Sequence, residues 1–316
     1  MSDLPIKEAS ERLSRIVANV ERVIVGKREV IEQTLICLLA GGHALLDDVP
    51  GVGKTMLARA IARSIGGRFR RVQFTPDLLP SDVTGATIYN QAKGEFEFRP
   101  GPVFTNVLLA DEINRSSPRT QAALLEAMGE RQVTVDGTTY ELLRPFMVLA
   151  TENPIETEGI YPLPESQLDR FAMRLRIGYP SREAEEEVVR RQLLRHPIET
   201  LEPAVTPQEI VEAQEIVARV QVHEKVYDYV LEIVTRTRQS EHVEVGVSPR
   251  GTITLIRCAQ ALAVMQGRDY VIPDDIKRLA PHCLAHRILV RPEARLQGIR
   301  GSDVIKSVLD SVPVVL

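Results

Sequence analysis

Short apolar runs alternate with amphipathic stretches through the first half of the chain. Candidate strands fall at Ala44–Leu46, Arg70–Phe74, Val107–Ala110, Met147–Ala150 and Arg174–Ile177. Taken together, and above all at Val107–Ala110 and Met147–Ala150, they are too apolar for a sheet wetted on one side, so they predict a parallel five-stranded sheet with helices on both faces. A helix is expected from Lys54 to about Ile65, where Gly66-Gly67 stops it, and another from Ser117-Pro118 to Gly129. Two β-hairpins interrupt the alternation. One turns at Asp136-Gly137 between Arg131–Val135 and Thr138–Leu142, a strong two-residue turn signal. The softer one pairs Ala86–Asn90 with Glu95–Arg99 around Gln91–Gly94. After Tyr179-Pro180-Ser181 the period becomes helical, with segments near Glu224–Arg238, Pro249–Gln266 and Pro273–Arg287 and a capping box at Thr206-Pro207-Gln208-Glu209. The expected organisation is an α/β domain over 1–180 and a helical domain over 181–316, with no strand-rich stretch in the second until its tail.

Composition narrows the picture only slightly. A chain of 316 residues, 44% hydrophobic and 26% charged, suits two soluble domains at roughly 150 residues each. No apolar run approaches the ~18–20 residues that span a bilayer. Asp3, Lys7, Glu8, Glu11 and Arg12 break up any apolar signal segment at the start, so a cytoplasmic protein is expected. Cys37, Cys258 and Cys283 are widely spaced and odd in number, which argues for reduced thiols. A net charge of −4 supplies no basic field and disfavours nucleic acid as the main partner.

Chemistry enters at Asp48-Val49-Pro50-Gly51-Val52-Gly53-Lys54-Thr55, followed by Met56, between a strand and a helix. This is the context a phosphate-binding loop requires. Gly51 and Gly53 let the backbone wrap a polyphosphate, and the helix N-terminus offers N–H donors. Lys54 supplies a point charge, and the Thr55 hydroxyl can ligate Mg²⁺. Asp48 stands where the usual motif has glycine, so its carboxylate is expected to point away from the phosphates. Val107–Ala110 ends in Asp111-Glu112. After a phosphate loop such a pair reads as Asp111 holding Mg²⁺ through water and Glu112 activating the attacking water. No Asn-Lys-x-Asp guanine-reading motif accompanies it, which favours ATP over GTP.

Other positions are more ambiguous taken singly. Asn153, in Thr151-Glu152-Asn153-Pro154, either orients the attacking water or simply forms the turn before Pro154. Arg170, in Leu168-Asp169-Arg170-Phe171, is a surface cation or an arginine finger. Arg250, in Ser248-Pro249-Arg250, opens a helix from which it could touch phosphate across a cleft. His282 and His286 share a helical face with Cys283 nearby; a core-edge helix explains them better than zinc, which needs further ligands. Glu183, Glu185, Glu186 and Glu187 suit a solvated helix start.

Together, Asp48–Thr55, Asp111–Arg115, Thr151–Pro154, Pro164–Phe171, Ser248–Arg250 and Val271-Ile272-Pro273-Asp274-Asp275 resemble the MoxR family of AAA+ ATPases, in the family's order and over nearly the whole chain. The resemblance implies an AAA+ core with two hairpin inserts and a helical lid, hydrolysing ATP to ADP and phosphate with Mg²⁺. It implies Asn153 as sensor 1, Arg170 as arginine finger and Arg250 as sensor 2, acting in cis or in trans. Val25 and Gly26, within Ile24-Val25-Gly26, resemble the stretch that packs on adenine. A homo-oligomeric ring, in the form of a hexamer, is also implied. So is a chaperone-like role on a client protein or complex, often beside a partner with a von Willebrand A domain. A nucleic-acid motor, a metal-chelatase motor subunit and a non-hydrolysing scaffold are the competing readings.

Overall fold

The structure, a computed structural model, describes residues 4–152, 160–194 and 196–314. Helices α1 (Leu4–Glu21) and α2 (Arg28–Leu39) lead into β1 (Ala44–Asp47). The chain then forms α3 (Lys54–Ser64), β2 (Phe69–Gln73) and a short α4 (Pro80–Thr84). The first hairpin pairs β3 (Gly85–Asn90) with β4 (Glu95–Pro100). Next come β5 (Val107–Asp111) and α5 (Pro118–Glu130), which Ser117 caps through the Thr120 N–H. The second hairpin pairs β6 (Gln132–Val135) with β7 (Thr138–Glu141). Asp136 and Gly137 at its tip both take positive φ, +51° and +79°, as a tight right-twisted hairpin demands. Strand β8 (Met147–Glu152), the single turn α6 (Glu165–Leu168) and β9 (Met173–Leu175) complete this half.

The five central strands are parallel in the order β2-β5-β8-β1-β9. Side chains alternate across the sheet. On one face Leu46, Leu109 and Leu149 pack with α1, α2 and α3; on the other Leu45, Leu108 and Val148 pack with Leu124 and Phe171. This explains why the inner strands β1, β5 and β8 read as apolar runs, while the edge strand β2 carries Arg70, Arg71 and Gln73. β1 lies inside the sheet, so the loops at its two ends open onto opposite rims.

The second half holds α7 (Arg182–Leu194), α8 (Pro207–Val217), α9 (Glu224–Gln239), β10 (Val243–Val245), α10 (Pro249–Met265) and α11 (Pro273–Leu284). β11 (Leu289–Val290), α12 (Pro292–Leu296) and α13 (Gly301–Ser311) follow. The capping box at Thr206 and Glu209 forms as expected. One departure from expectation is the antiparallel pair β10–β11; strands of three and two residues are too short to register as a period in sequence. Helices α1 and α2 share their apolar cluster with the second half. Polar contacts join them too: Ser10 donates to Met265 O at 2.9 Å, and Gln214 to Leu38 O at 2.7 Å. No helix among the described residues is long and apolar enough to cross a membrane.

Candidate active site

At the carboxyl ends of the strands lies a cavity of about 350 Å³, lined by Pro50, Gly51, Gly53, Lys54, Thr55, Met56, Arg71, Gln73, Asp111, Glu112 and Glu152. Gly51 and Gly53 hold φ of +86° and +98°, and nothing lies within 4 Å of where a Cβ would stand on either. Glycine is required there by backbone conformation, with the space beyond left open. Lys54 Nζ donates to Asp48 O at 2.6 Å, across the loop that would wrap the phosphates.

Asp48 itself is turned outward. Its carboxylate accepts from the Ile177 and Gly178 N–H groups at 2.5 and 2.7 Å, and from Val49 N–H at 3.1 Å. The residue that departs from the usual glycine therefore ties the loop to the chain leaving β9. Nearby, Gly26 (φ +71°) would bring a Cβ within 3.0 Å of Ala184, and Lys27 donates to Tyr179 O at 2.7 Å. Thus the Val25-Gly26 turn lies against the segment on which Asp48 is anchored.

The acidic pair is organised by one hydroxyl. Thr151 Oγ1 donates to Asp111 Oδ1 at 2.7 Å and accepts from Glu112 N–H at 2.8 Å. Glu112 adopts φ +56°, ψ +51°, a conformation that costs a non-glycine residue roughly 1–2 kcal/mol. The Thr151 bond helps hold it there. The other Asp111 oxygen accepts from Arg71 at 3.0 and 2.6 Å, while Glu112 Oε2 accepts from Gln73 at 2.7 Å and Arg115 at 3.2 Å. Arg71 and Gln73 were not picked out from sequence; their signal was alternation on β2, which aims both at one face beside Asp111. Glu152 joins them, its carboxyl pushed above the usual range by burial, with Arg174 opposing and Asp47 reinforcing the shift. Asn153 lies outside the described residues. The Thr55 hydroxyl and Asp111 carboxylate line the same cavity, a hard-oxygen set that fits Mg²⁺.

Arg170 and Arg250 lie elsewhere. Both line a second cavity of about 480 Å³ with Gly41, Gly42 and His43, together with Gly129, Arg131, Asp169 and Arg257. Gly41, Gly42 and His43 precede β1, and Asp169 and Arg170 precede β9, so this cavity opens at the amino ends of strands whose carboxyl ends face the first. Four residues of β1 separate the two rims by roughly 13 Å. Asp169 assembles this site: its carboxylate accepts from Ser248 Oγ at 3.0 Å and from Arg287 Nε at 2.8 Å. Arg287, 6% exposed, also donates to the Asp169 and Phe171 carbonyls at 3.0 and 2.8 Å. Arg170 crosses α5 to donate to Leu125 O at 2.7 Å. A Cβ on Gly129 would sit 2.8 Å from that guanidinium, so the helical glycine makes room for it. His43 is bound on both nitrogens, to Met128 O at 3.1 Å and Val148 N–H at 2.9 Å. Burial lowers its pKa to about 4.

Of the residues screened for zinc, Cys283 is buried and free, as are Cys37 and Cys258. His286 Nε2 lies 3.0 Å from Phe171 O, and His282 Nε2 2.9 Å from Gln33 Nε2. Among the described residues no cluster of three metal-ligating groups forms.

Comparison with known proteins agrees with this arrangement. Residues 43–173 match a model described as ATPase family associated with various cellular activities (AAA), and 235–308 match the AAA lid domain. The chain is 43% identical to Chaperone MoxR1 of Mycobacterium tuberculosis, covering 95% of this chain and 81% of that protein. The chain belongs to the MoxR family of AAA+ ATPases. The uncharacterized protein YeaC of Bacillus subtilis is 54% identical over 96% of this chain and 94% of its own length. A crystal structure of a proposed ATPase from Cytophaga hutchinsonii superposes with a TM-score of 0.94 at 40% identity, covering 100% of this chain and 98% of that one. The parallel sheet, the two hairpins and the helical second half that the resemblance implied are all present in the structure.

Proposed function

We propose that this MoxR-family protein hydrolyses ATP in the cytoplasm at the boundaries between subunits of a ring, six in number, and uses the cycle to remodel a client protein or complex. Lys54 and the Gly51–Gly53 backbone bind the phosphates. Thr55 and Asp111 would hold Mg²⁺, Asp111 through water, and the ion would supply positive charge to offset that of the phosphates. Glu112 takes a proton from the attacking water, Asn153 orients that water, and Val25 and Gly26 pack on adenine. Arg170 and Arg250 come from the neighbouring subunit, where they stabilise charge on the γ-phosphate.

The observation that carries this reading is the division of charge between the rims. The carboxylates and Lys54 face one cavity, and Arg170 and Arg250 face another that the same chain's phosphates cannot reach. A head-to-tail contact would join the two, and such contacts close into rings. The α/β core over 1–180 and the lid over 181–316 are the parts whose relative movement we assign to hydrolysis, with the hairpins pressing on the client. A protein client is favoured over nucleic acid by the first hairpin. It exposes Tyr89 and Phe96, with ring centroids 5.3 Å apart, and Lys93 at its tip pairs with Glu97 at 3.7 Å. The partner with a von Willebrand A domain belongs to the same reading.

Glu112→Gln tests the chemistry. Turnover should fall by roughly 10²–10⁴-fold while ATP still binds, as measured by phosphate release and nucleotide titration. Undiminished turnover would remove Glu112 from its role. Strong stimulation of the native protein by DNA would move the reading to a nucleic-acid motor.

A further inference from the structure

The arginine-lined cavity contains cations beyond the two that the proposed function uses, and Arg131 is the one whose placement demands an explanation. It ends α5 at φ +54°, a left-handed position that glycine or asparagine fills more easily. Its N–H donates to Ala127 O at 3.0 Å, and its carbonyl accepts Leu142 N–H at 3.0 Å. One residue therefore terminates the helix and closes the base of the β6–β7 hairpin. Its side chain runs back into the cavity, where Nη2 donates to Gly41 O at 3.1 Å. Gly41 is at φ +68°, and a Cβ there would stand 2.6 Å from that nitrogen, so the backbone is pared away to admit the guanidinium.

Among the described residues no carboxylate pairs with this guanidinium. Burial pushes its pKa down from the ordinary arginine value, and the like charge of Arg144 pushes it further. At Arg176 the Asp47 carboxylate has the opposite effect and raises the value. The carboxylate lining the cavity, Asp169, already receives Arg287 and Ser248. Arg131 is itself exposed, and its guanidinium opens onto a cavity shared with the cations of Arg170, Arg250 and Arg257, a cluster of like charge that an anion from outside the chain would relieve. With one N–H on Gly41, Arg131 retains four others for phosphate oxygens.

We propose that Arg131 is a further arginine lent to the neighbouring subunit's nucleotide, donating to a phosphate oxygen and tying the base of the second hairpin to that contact. The assignment rests on hydrolysis at subunit boundaries, so its test must separate the two ideas. Arg131→Ala alone should lose roughly tenfold to a hundredfold in ATP turnover, the range of one lost charge-assisted hydrogen bond. Mixed in equal amounts with Lys54→Ala protein, itself unable to use ATP, it should regain turnover well above the sum of the separate activities. There the intact phosphate loop of one subunit meets the intact Arg131 of the next. A purely structural fault at the hairpin base would stay within its own subunit and would not be rescued. Arg170→Ala mixed with Lys54→Ala is the control. Rescue of Arg170→Ala but not Arg131→Ala overturns the role of Arg131 and leaves the boundary reading standing. Rescue of neither brings down both. Full activity of Arg131→Ala alone also overturns the proposal. Arg131→Lys, which keeps the charge but not the planar fork, takes the place of the alanine variant in the mixture if that variant fails to fold.

Discussion

The two rims of the sheet differ in how their charges are held. At the carboxyl rim, Asp111 and Glu112 sit amid Arg71, Gln73, Thr151 and Arg115, and their geometry is set by short bonds within adjacent strands. At the amino rim, Arg170 and Arg250 come from segments 80 residues apart in sequence and are brought together by Asp169 and Arg287. Under the proposed function one rim holds the groups that would bind phosphate and activate water, and the other holds cations that would serve a neighbour's phosphate. Within one subunit neither rim makes a whole site under the proposed function. Two copies meeting head to tail make one.

The comparison can be broken most severely at the amino rim. Arg170→Ala should lower turnover by about 10³-fold, the lower end for an arginine finger, with ATP affinity nearly unchanged. Arg250→Ala should act in the same direction and less strongly. Loss of ATP binding in either variant would mean that these residues serve their own subunit. Gly129→Ala sharpens the same point at lower cost to the fold. Its methyl meets the Arg170 guanidinium, so turnover should drop by roughly tenfold even though alanine favours the helix by up to about 1 kcal/mol. Phosphate release measured beside thermal melting would separate these effects; unchanged turnover would show that Arg170 does not need its observed path across α5.

At the carboxyl rim the expected effects are on stability and binding. Asp48→Ala strands the Ile177 and Gly178 N–H groups and should cost roughly 1–3 kcal/mol, read by denaturant unfolding with and without ATP. No loss would mean that the carboxylate is not what fixes the loop. The smallest effect returns to the amino rim. His43 has a folded pKa of about 4 against the ordinary 6.5. Its contribution is therefore complete above about pH 6.5 and is lost as pH falls toward 4, by up to about 1.4 kcal/mol per pH unit. His43→Gln should flatten stability measured between pH 7 and 5 by about one proton. An unaltered slope would assign the acid sensitivity to other groups, such as His286, which burial pushes to about 3.

Legibility from sequence tracked how local each feature is. The phosphate loop and the acidic pair were readable because glycine placement, an adjacent helix start and a strand end all lie within a few residues. The hairpin turn at Asp136-Gly137 was readable for the same reason. Asp48 was expected to point away from the phosphates, but its partners at Ile177 and Gly178 lie some 130 positions on and no period announces them. Arg71 and Gln73 remained hidden because exposed polar residues on an edge strand look ordinary until the neighbouring strand is in register. Gly129 read as a helix end and Arg131 as the first residue of a hairpin strand, nothing more.

What the sequence determined by itself was the fold class and the family, since the alternating strands, the glycine-bearing loop before a helix and the strand ending in two carboxylates are encoded by short-range backbone geometry and side-chain chemistry. The tertiary structure decided where the arginines stand relative to that loop and those carboxylates. Whether Arg170 and Arg250 share a rim depends on one half-buried carboxylate accepting from Ser248 and Arg287. That contact joins segments far apart in the chain, and only folding brings them within hydrogen-bonding distance.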